Sequence, residues 1–371
     1  MTKSIVYKLD LLVDKVTVEE SPVYRIKKLL DIAGINEVVE KGDYVAIKVH
    51  LGSEGGYRII RPPFIKKVVE KVKELGGKPF VTDTCRPPSL DYLEIAKMQG
   101  INELSVGAPI IIADGIKGND YRIIKVNGFV LKEIEVASAI ADADAMIVLS
   151  HSKGHRQTAY GGAIKNVAMG CTARSTKRKI HSVLGDVPIW DESKCIRCGI
   201  CVKVCDHNAI YFKNRKVVID PEKCVRCYRC VWSCPSHALT WKKTDIEKLF
   251  MAMADAVEAV LKTFKPGKVL YVNFVMDVMF ICDCAPIATL PIVPDQGILA
   301  SKDIVAIDKA SLDLINSAPG IPGQIALNKK VGVLKEGENK FMSIHGVDPL
   351  LQVIIAEKKG LGTTNYELKI V

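Results

Sequence analysis

Aromatic residues are scarce, at 6 % of the chain, and there are only five glutamines. No run of about eighteen apolar residues, the length a bilayer-spanning helix needs, is present. The most apolar stretch, Val269 to Cys282, is 14 residues long and is broken by Asn273 and Asp277, so no membrane span is expected. The start, MTKSIVYKLDLLVDKV, carries charges where a secretory signal needs its apolar segment. No glycine fingerprint of the G-x-G-x-x-G or Walker type follows a strand-like run, which argues against a nicotinamide or nucleotide site. The densest basic run, Arg174 to Lys179, has no interleaved aromatic residues on which bases could stack, so nucleic acid is not an expected partner. These absences together describe a cytoplasmic protein that binds neither membrane nor nucleic acid.

What is present is an ordinary globular balance and an unusual number of thiols. Apolar residues make up 48 % and charged residues 25 % of 371 residues, enough for two or three domains with buried cores. Twelve cysteines are many for a reducing compartment, where metal binding or catalysis explains such usage better than disulfides. The formal charge is +10. Two 4Fe-4S clusters, at about −2 apiece with their thiolates, would lower it to about +6. That balance suits an acidic redox partner or an anionic substrate. The basic run reads either as a solvated loop or as a site for such a partner.

Strand and helix signals alternate through the first half. Tyr44–His50, Pro79–Thr84, Pro109–Ala113 and Ala145–His151 read as strands. Pro62–Gly76, Ser89–Gln99 and Val136–Ala143 read as helices, the first with Pro at its start and Gly at its end. Tyr121–Val126 and Phe129–Glu135 suggest a hairpin about Asn127-Gly128. Later, Thr244–Phe264 and Asp303–Ser317 have helical spacing, and Val269–Met276 reads as a strand. The pattern predicts an α/β fold with a parallel or mostly parallel sheet and helices on both faces. In such sheets a ligand site lies beyond the carboxyl ends of the strands. Lys48, His50, Asp83, Thr84, Cys85, Asp114 and His151 fall there. The segment after His151 adds Lys153, His155, Gly161, Gly162, Lys165 and Asn166. Its glycines allow close backbone approach, and a helix starting near Ala163 would offer N-terminal amides to an anion. The alternative is an ordinary glycine-containing loop.

Eight cysteines form a duplicated motif. Cys195, Cys198, Cys201 and Cys205 follow the spacing C-x2-C-x2-C-x3-C, and Cys224, Cys227, Cys230 and Cys234 repeat it 29 residues later. This spacing is that of a two-cluster ferredoxin, in which the fourth cysteine of each run ligates the other cluster. Cys195, Cys198, Cys201 and Cys234 are therefore assigned to one 4Fe-4S cluster, and Cys224, Cys227, Cys230 and Cys205 to the second. Two structural zincs are the competing reading, and they need no such spacing. Asp206 stands where proline usually follows the fourth cysteine. Residues 186–243 are read as an insert dividing an α/β domain into 1–185 and 244–371. Of the remaining thiols, Cys171, Cys282 and Cys284 could hold a further metal or cluster, with His50, His151, His155, His181 or Asp283 as extra ligands or acid–base groups. Otherwise they pack as small buried hydrophobes.

KVHLG (Lys48 to Gly52), GGKPFVTDT (Gly76 to Thr84), ADG (Ala113 to Gly115), SHSKGH (Ser150 to His155), YGGAIKNVAMGC (Tyr160 to Cys171), CDC (Cys282 to Cys284) and ILASKDIVAIDKA (Ile298 to Ala310) together resemble the family called domain of unknown function 362, in its form with a ferredoxin insert. The resemblance implies an α/β domain carrying a two-cluster module and supplies no reaction. The expectation is an iron–sulfur oxidoreductase. Electrons from a partner protein would pass through two clusters to a site where Lys48, His50, Lys153, Gly161, Gly162 and Asn166 bind a small anion, with His151, His155, Lys165 and Asp83 as catalytic groups. An electron carrier or docking subunit with no substrate chemistry of its own is the first rival, and an enzyme with structural clusters the second.

Overall fold

The computed structural model describes residues 3–86, 89–185, 187–205, 207–241, 245–322 and 334–371. Its frame is an 8-stranded sheet built from β1 (Ser4–Leu9), β2 (Tyr44–Lys48), β3 (Lys78–Asp83), β4 (Ile110–Ile112), β5 (Ala145–His151), β6 (Val269–Val275), β7 (Gly297–Ser301) and β8 (Tyr366–Ile370). The spatial order is β8-β1-β7-β6-β5-β2-β3-β4. Strands β6, β5, β2, β3 and β4 run parallel, β7 is antiparallel to both β6 and β1, and β8 is parallel to β1. The sheet is thus mostly parallel, as the alternating pattern predicts.

Both faces are covered, and the strand sequences show why. Successive residues of a strand point to opposite faces. In β5, Met146 and Val148 enter one apolar core while Ala145, Ile147 and Leu149 enter the other. A strand buried on both faces must therefore be apolar throughout, as AMIVLSH nearly is. One face receives helices α1 (Pro22–Ile32), α2 (Pro62–Glu74) and α3 (Ser89–Met98); the other receives α4 (Ala163–Gly170), α6 (Ile246–Leu261), α7 (Ile304–Ser317) and α8 (Leu350–Lys358). Helix α5 (Arg174–Ser182) lies between α4 and the cysteine-rich segment in the chain. Among the described residues no helix is long and apolar enough to cross a membrane.

The chain advances β2 to β3 to β4 in one direction, then places β5 on the far side of β2. The carboxyl ends of β2 and β5 thus flank the point where strand order reverses, the usual ligand crevice of open α/β sheets. One local expectation is corrected. The strands Tyr121–Lys125 and Glu133–Ala137 pair with Lys125 opposite Glu133, so Asn127-Gly128 is not a two-residue turn. The connection instead wraps the buried Asp255 carboxylate, which accepts the N–H groups of Phe129, Val130 and Leu131 at 2.7, 2.8 and 2.9 Å.

Candidate functional site

Three loops at the carboxyl edge converge on Cys282-Asp283-Cys284, which follows β6. After β2, Ser53 donates its hydroxyl to Asp283 O at 2.8 Å. After β3, Arg86 donates to Cys284 O at 2.7 Å and to Gly52 O at 3.3 Å. After β5, the hairpin Lys153–His155/Ala159–Gly161 lies against the loop, with Gly154 N–H donating to Met279 O at 2.7 Å. A Cβ at Gly154 would stand 2.2 Å from Phe280 O, so only glycine lets the hairpin come this close.

The hairpin brings His155 to the thiol pair. A ring nitrogen of His155 and the sulfurs of Cys282 and Cys284 lie within 4.8 Å of one another. His155 Nδ1 is held in its own turn by Thr158 Oγ1 at 3.0 Å and by the N–H groups of Gln157 and Thr158 at 3.3 and 3.2 Å. Thr158 gives its own hydrogen to Tyr160 O at 2.7 Å. Asp283, between the cysteines, turns the other way: its carboxylate meets His151 Nδ1 at 2.9 Å and Lys153 Nζ at 3.1 Å. The hydrogen bond from Cys282, working against burial and joined by the charges of Arg86, Lys165 and Lys153, brings the Cys284 thiol down to about 5. That same bond raises Cys282. Burial, with Lys165 next, pushes His155 down to about 3.

Several residues expected to meet a ligand are committed to the protein itself. Lys48 is fully buried, and its ammonium faces Asp83 at 3.0 Å, Asn166 Oδ1 at 2.7 Å and Val49 O at 3.3 Å. Three donors are thereby used, so none is left for an anion. Asp83 also accepts from Tyr92 at 2.6 Å and Thr84 N–H at 2.9 Å. Burial works to raise its pKa, but Lys48 and His50 hold it well below the carboxylate range. Asn166 spends its amide hydrogens on Leu149 O and Ser150 Oγ. His151 faces Asp283 on one side and the Met276 carbonyl, at 2.9 Å, on the other, so it clamps the loop.

The amides of α4 are also taken. Asp308 of α7 accepts from Ala163 N–H at 2.7 Å and Ile164 N–H at 2.9 Å. A Cβ at Gly162 would stand 2.3 Å from Asp308 Oδ1; this glycine admits the protein's own carboxylate, not a ligand. Gly161 adjoins Lys165, whose Cδ a Cβ there would approach to 3.3 Å. Lys165 makes no ion pair with a carboxylate among the described residues. His50 stands at the border, its Nδ1 accepting from Gly52 N–H at 2.8 Å.

Cys171 is not brought to the pair. It is buried in the core and directs its thiol at Met146 Sδ, and burial pushes it up to about 12. Cys85 is likewise buried and raised to about 12 by burial and Asp114. These two are packed, unreactive thiols. His155 stands where Cys171 was expected.

In the cysteine-rich segment the structure groups the thiols across the repeat. One cavity is lined by Cys195, Cys198, Cys201 and Cys234. Cys230 is pushed up to about 12, first by burial and then by its neighbours Cys227, Cys224 and Cys205. The backbone repeats as the sequence does: Arg197 and Arg226 both have φ 54°, Gly199 and Tyr228 have φ 77° and 55°, and Asn208 and His237 have φ 49° and 51°. Left-handed residues between and just after the closely spaced cysteines curl each loop in the same way. Ala209 and Ala238 N–H each donate to the fourth sulfur of their run, Cys205 and Cys234, at 3.3 Å. Asp206 lies outside the described residues.

Sequence reasoning missed the joint between the two regions. Gln157 donates to Arg226 O at 3.1 Å, beside Cys227, and Arg156 lies over the Trp232 ring at 5.3 Å. Both residues occupy the turn after His155, inside the polar segment. Arg86 was missed as well, although it directly follows the β3 strand-end residues. The basic run forms helix α5: Lys177 turns inward to Cys85 O at 2.9 Å and Lys179 pairs with Glu135 at 2.7 Å. Arg174 and Arg178 line an open cleft of about 300 Å³ with His207, Asn208, Glu222 and Lys223.

Among known proteins, the thylakoid-associated protein sll1697 of a Synechocystis strain is 28 % identical over 164 residues, 43 % of this chain and 49 % of that protein. The chain thus spans about half the length of this curated relative. The lactate racemase apoprotein of Thermoanaerobacterium thermosaccharolyticum is 13 % identical, with a TM-score of 0.35 over 74 % of this chain and 51 % of that one. A Thermotoga maritima protein is 13 % identical, with a TM-score of 0.37 over 71 % and 52 %. Residues 45–313 match the family described as domain of unknown function (DUF362), and as that match takes in more than half of the chain, the protein belongs to this family.

Proposed function

We propose that the protein is an iron–sulfur oxidoreductase, with residues 186–243 as an inserted ferredoxin-like domain between the α/β segments 1–185 and 244–371. The observation that carries this reading is the exchange of fourth cysteines. Cys234 lines a cavity with Cys195, Cys198 and Cys201, and Cys205 is an electrostatic neighbour of Cys224, Cys227 and Cys230. Four thiols so close cannot all ionise without a compensating cation, and iron supplies one. The donor set, with its duplicated spacing, suits two 4Fe-4S clusters, which when bound would supply one-electron chemistry.

The chain's own residues set where those electrons go. The Gln157–Arg226 hydrogen bond ties the loop of Cys224, Cys227 and Cys230 to the turn that carries His155. The reaction site is the carboxyl edge at Cys282 and Cys284, where Lys165 and Arg86 face the thiols with no carboxylate ion pair among the described residues and Lys153 is shared with Asp283. That excess of positive charge fits a small carboxylate or phosphate compound as oxidant. The cleft of Arg174, Arg178 and Lys223 adjoins Cys224 in the chain and fits an acidic electron-donor protein.

Electron paramagnetic resonance of the anaerobic, dithionite-reduced protein tests this. The expected spectrum is that of two interacting reduced clusters, and Cys234→Ser should perturb the same centre as Cys198→Ser. A silent spectrum, or a Cys234→Ser effect that tracks Cys227→Ser, would refute the arrangement.

A further inference from the structure

We propose that His155, Cys282 and Cys284 form a mononuclear site for a soft divalent metal ion, zinc above all, separate from the eight clustered cysteines and open at its fourth position to an anionic ligand. In a tetrahedral zinc site with Zn–S of about 2.3 Å and Zn–N of about 2.0 Å, ligand atoms stand about 3.5–3.8 Å apart. The three donor atoms here already lie within 4.8 Å. A shift of about an ångström closes the set around an ion, within the reach of side-chain rotation. Two sulfurs and an imidazole select zinc over magnesium or calcium, which take oxygen ligands.

The supports are of the kind metal sites use. Asp283 points away from the sulfurs and is fixed by His151 and Lys153, so the residue between the ligands anchors their loop. Ser53 and Arg86 hold the carbonyls of Asp283 and Cys284, and Gly154 admits the hairpin that brings the histidine. The turn orients the ring: the Gln157 and Thr158 N–H groups donate to His155 Nδ1 at 3.3 and 3.2 Å and Thr158 Oγ1 stands 3.0 Å from it, so protein contacts at one ring nitrogen fix the imidazole beside the two sulfurs. His155 then serves as a ligand, not as a proton carrier. A dication with two thiolates is neutral as a unit. Lys165 and Arg86 remain beside it, and three protein ligands with an open fourth position are the mark of a catalytic, not a structural, zinc site.

The test is zinc loading of the anaerobically purified full-length protein, read by metal analysis and by X-ray absorption at the zinc edge, which iron does not obscure. One zinc per chain is expected, with two sulfurs and a mixed nitrogen and oxygen remainder. Cys282→Ser with Cys284→Ser should lower zinc affinity at least a hundredfold with iron and sulfide unchanged. His155→Gln, which leaves both thiols in place, should lower it 10- to 100-fold, and Cys171→Ser should not alter it. Zinc binding unmoved by the double substitution and by His155→Gln, or a four-sulfur shell, would overturn the proposal. The proposal does not rest on the clusters: a protein without iron or sulfide that still binds zinc in the two-sulfur shell would sink the electron-transfer reading and keep this one.

Discussion

At the scale of single residues, the polar groups at the strand ends divide into those that build the edge and those that face outward. Lys48 and Asp83 belong to the first kind. Removing one member of a buried ion pair strands the other charge, at a cost of about 3–5 kcal/mol. Asp83→Asn should therefore lower stability by that amount, read from the urea midpoint, while Lys165→Ala should change it by less than about 0.5 kcal/mol. Proton linkage gives a second prediction. Burial, with His155 next, lowers His181 from 6.5 to about 3. The unfolded chain thus binds a proton that the folded one refuses below pH 6.5, and stability is lost as the pH falls from 6.5 toward 3. His181→Gln should flatten the stability–pH curve by about 1 kcal/mol between pH 7 and 5.5, measured by denaturant titration at fixed salt. A curve of unchanged slope would contradict this. The residue types at the strand ends were legible in the sequence; which were already paired was not, because pairing depends on tertiary neighbours such as Asn166, 118 residues from Lys48 in the chain.

At the scale of elements, the sequence was most informative where a pattern is enforced by two cores at once. The strand expected at Ala145–His151 appears with those bounds, and the helix expected at Pro62–Gly76 runs Pro62–Glu74. Strand β1 carries no clear signal, and the tail after Pro319, which reads as glycine-rich and then strand-like, holds helix α8. The α8 run LLQVIIAEK has little one-sided apolarity from which a face could be read. The start of α4 is expected from the sequence to offer its amides to an anionic ligand, but they are taken by Asp308, supplied by a helix far along the chain. This assigns Asp308 a structural role as a cap that holds α4 against α7. Asp308→Ala would leave the Ala163 and Ile164 N–H groups and the Asn273 amide without their acceptor, so a loss of about 2–4 kcal/mol is expected. Asp308→Asn, which keeps one acceptor oxygen, should lose less. Thermal melting with both variants checks the order, and an Asp308→Asn loss as large as that of Asp308→Ala would contradict it, because the retained oxygen would then hold nothing.

At the scale of the whole molecule, one apolar core takes in both regions: Cys201, Ile210, Val217, Tyr228, Val231 and Leu239 share a packed cluster with α4, α6 and α7. The thiol-rich segment is thus packed into the α/β body, and the turn carrying His155 is hydrogen-bonded to it. The internal repeat was plain in the cysteine spacing, whereas the joint through Gln157 and Arg156 was invisible to spacing because it depends on a hairpin meeting a loop about 70 residues away. The central claim is that eight thiols, grouped four and four with their last members exchanged, hold two iron–sulfur clusters. Iron and acid-labile sulfide per chain, measured on full-length protein purified without oxygen, test it most directly. About eight of each is the predicted result; zinc at the eight cysteines with no sulfide would contradict it.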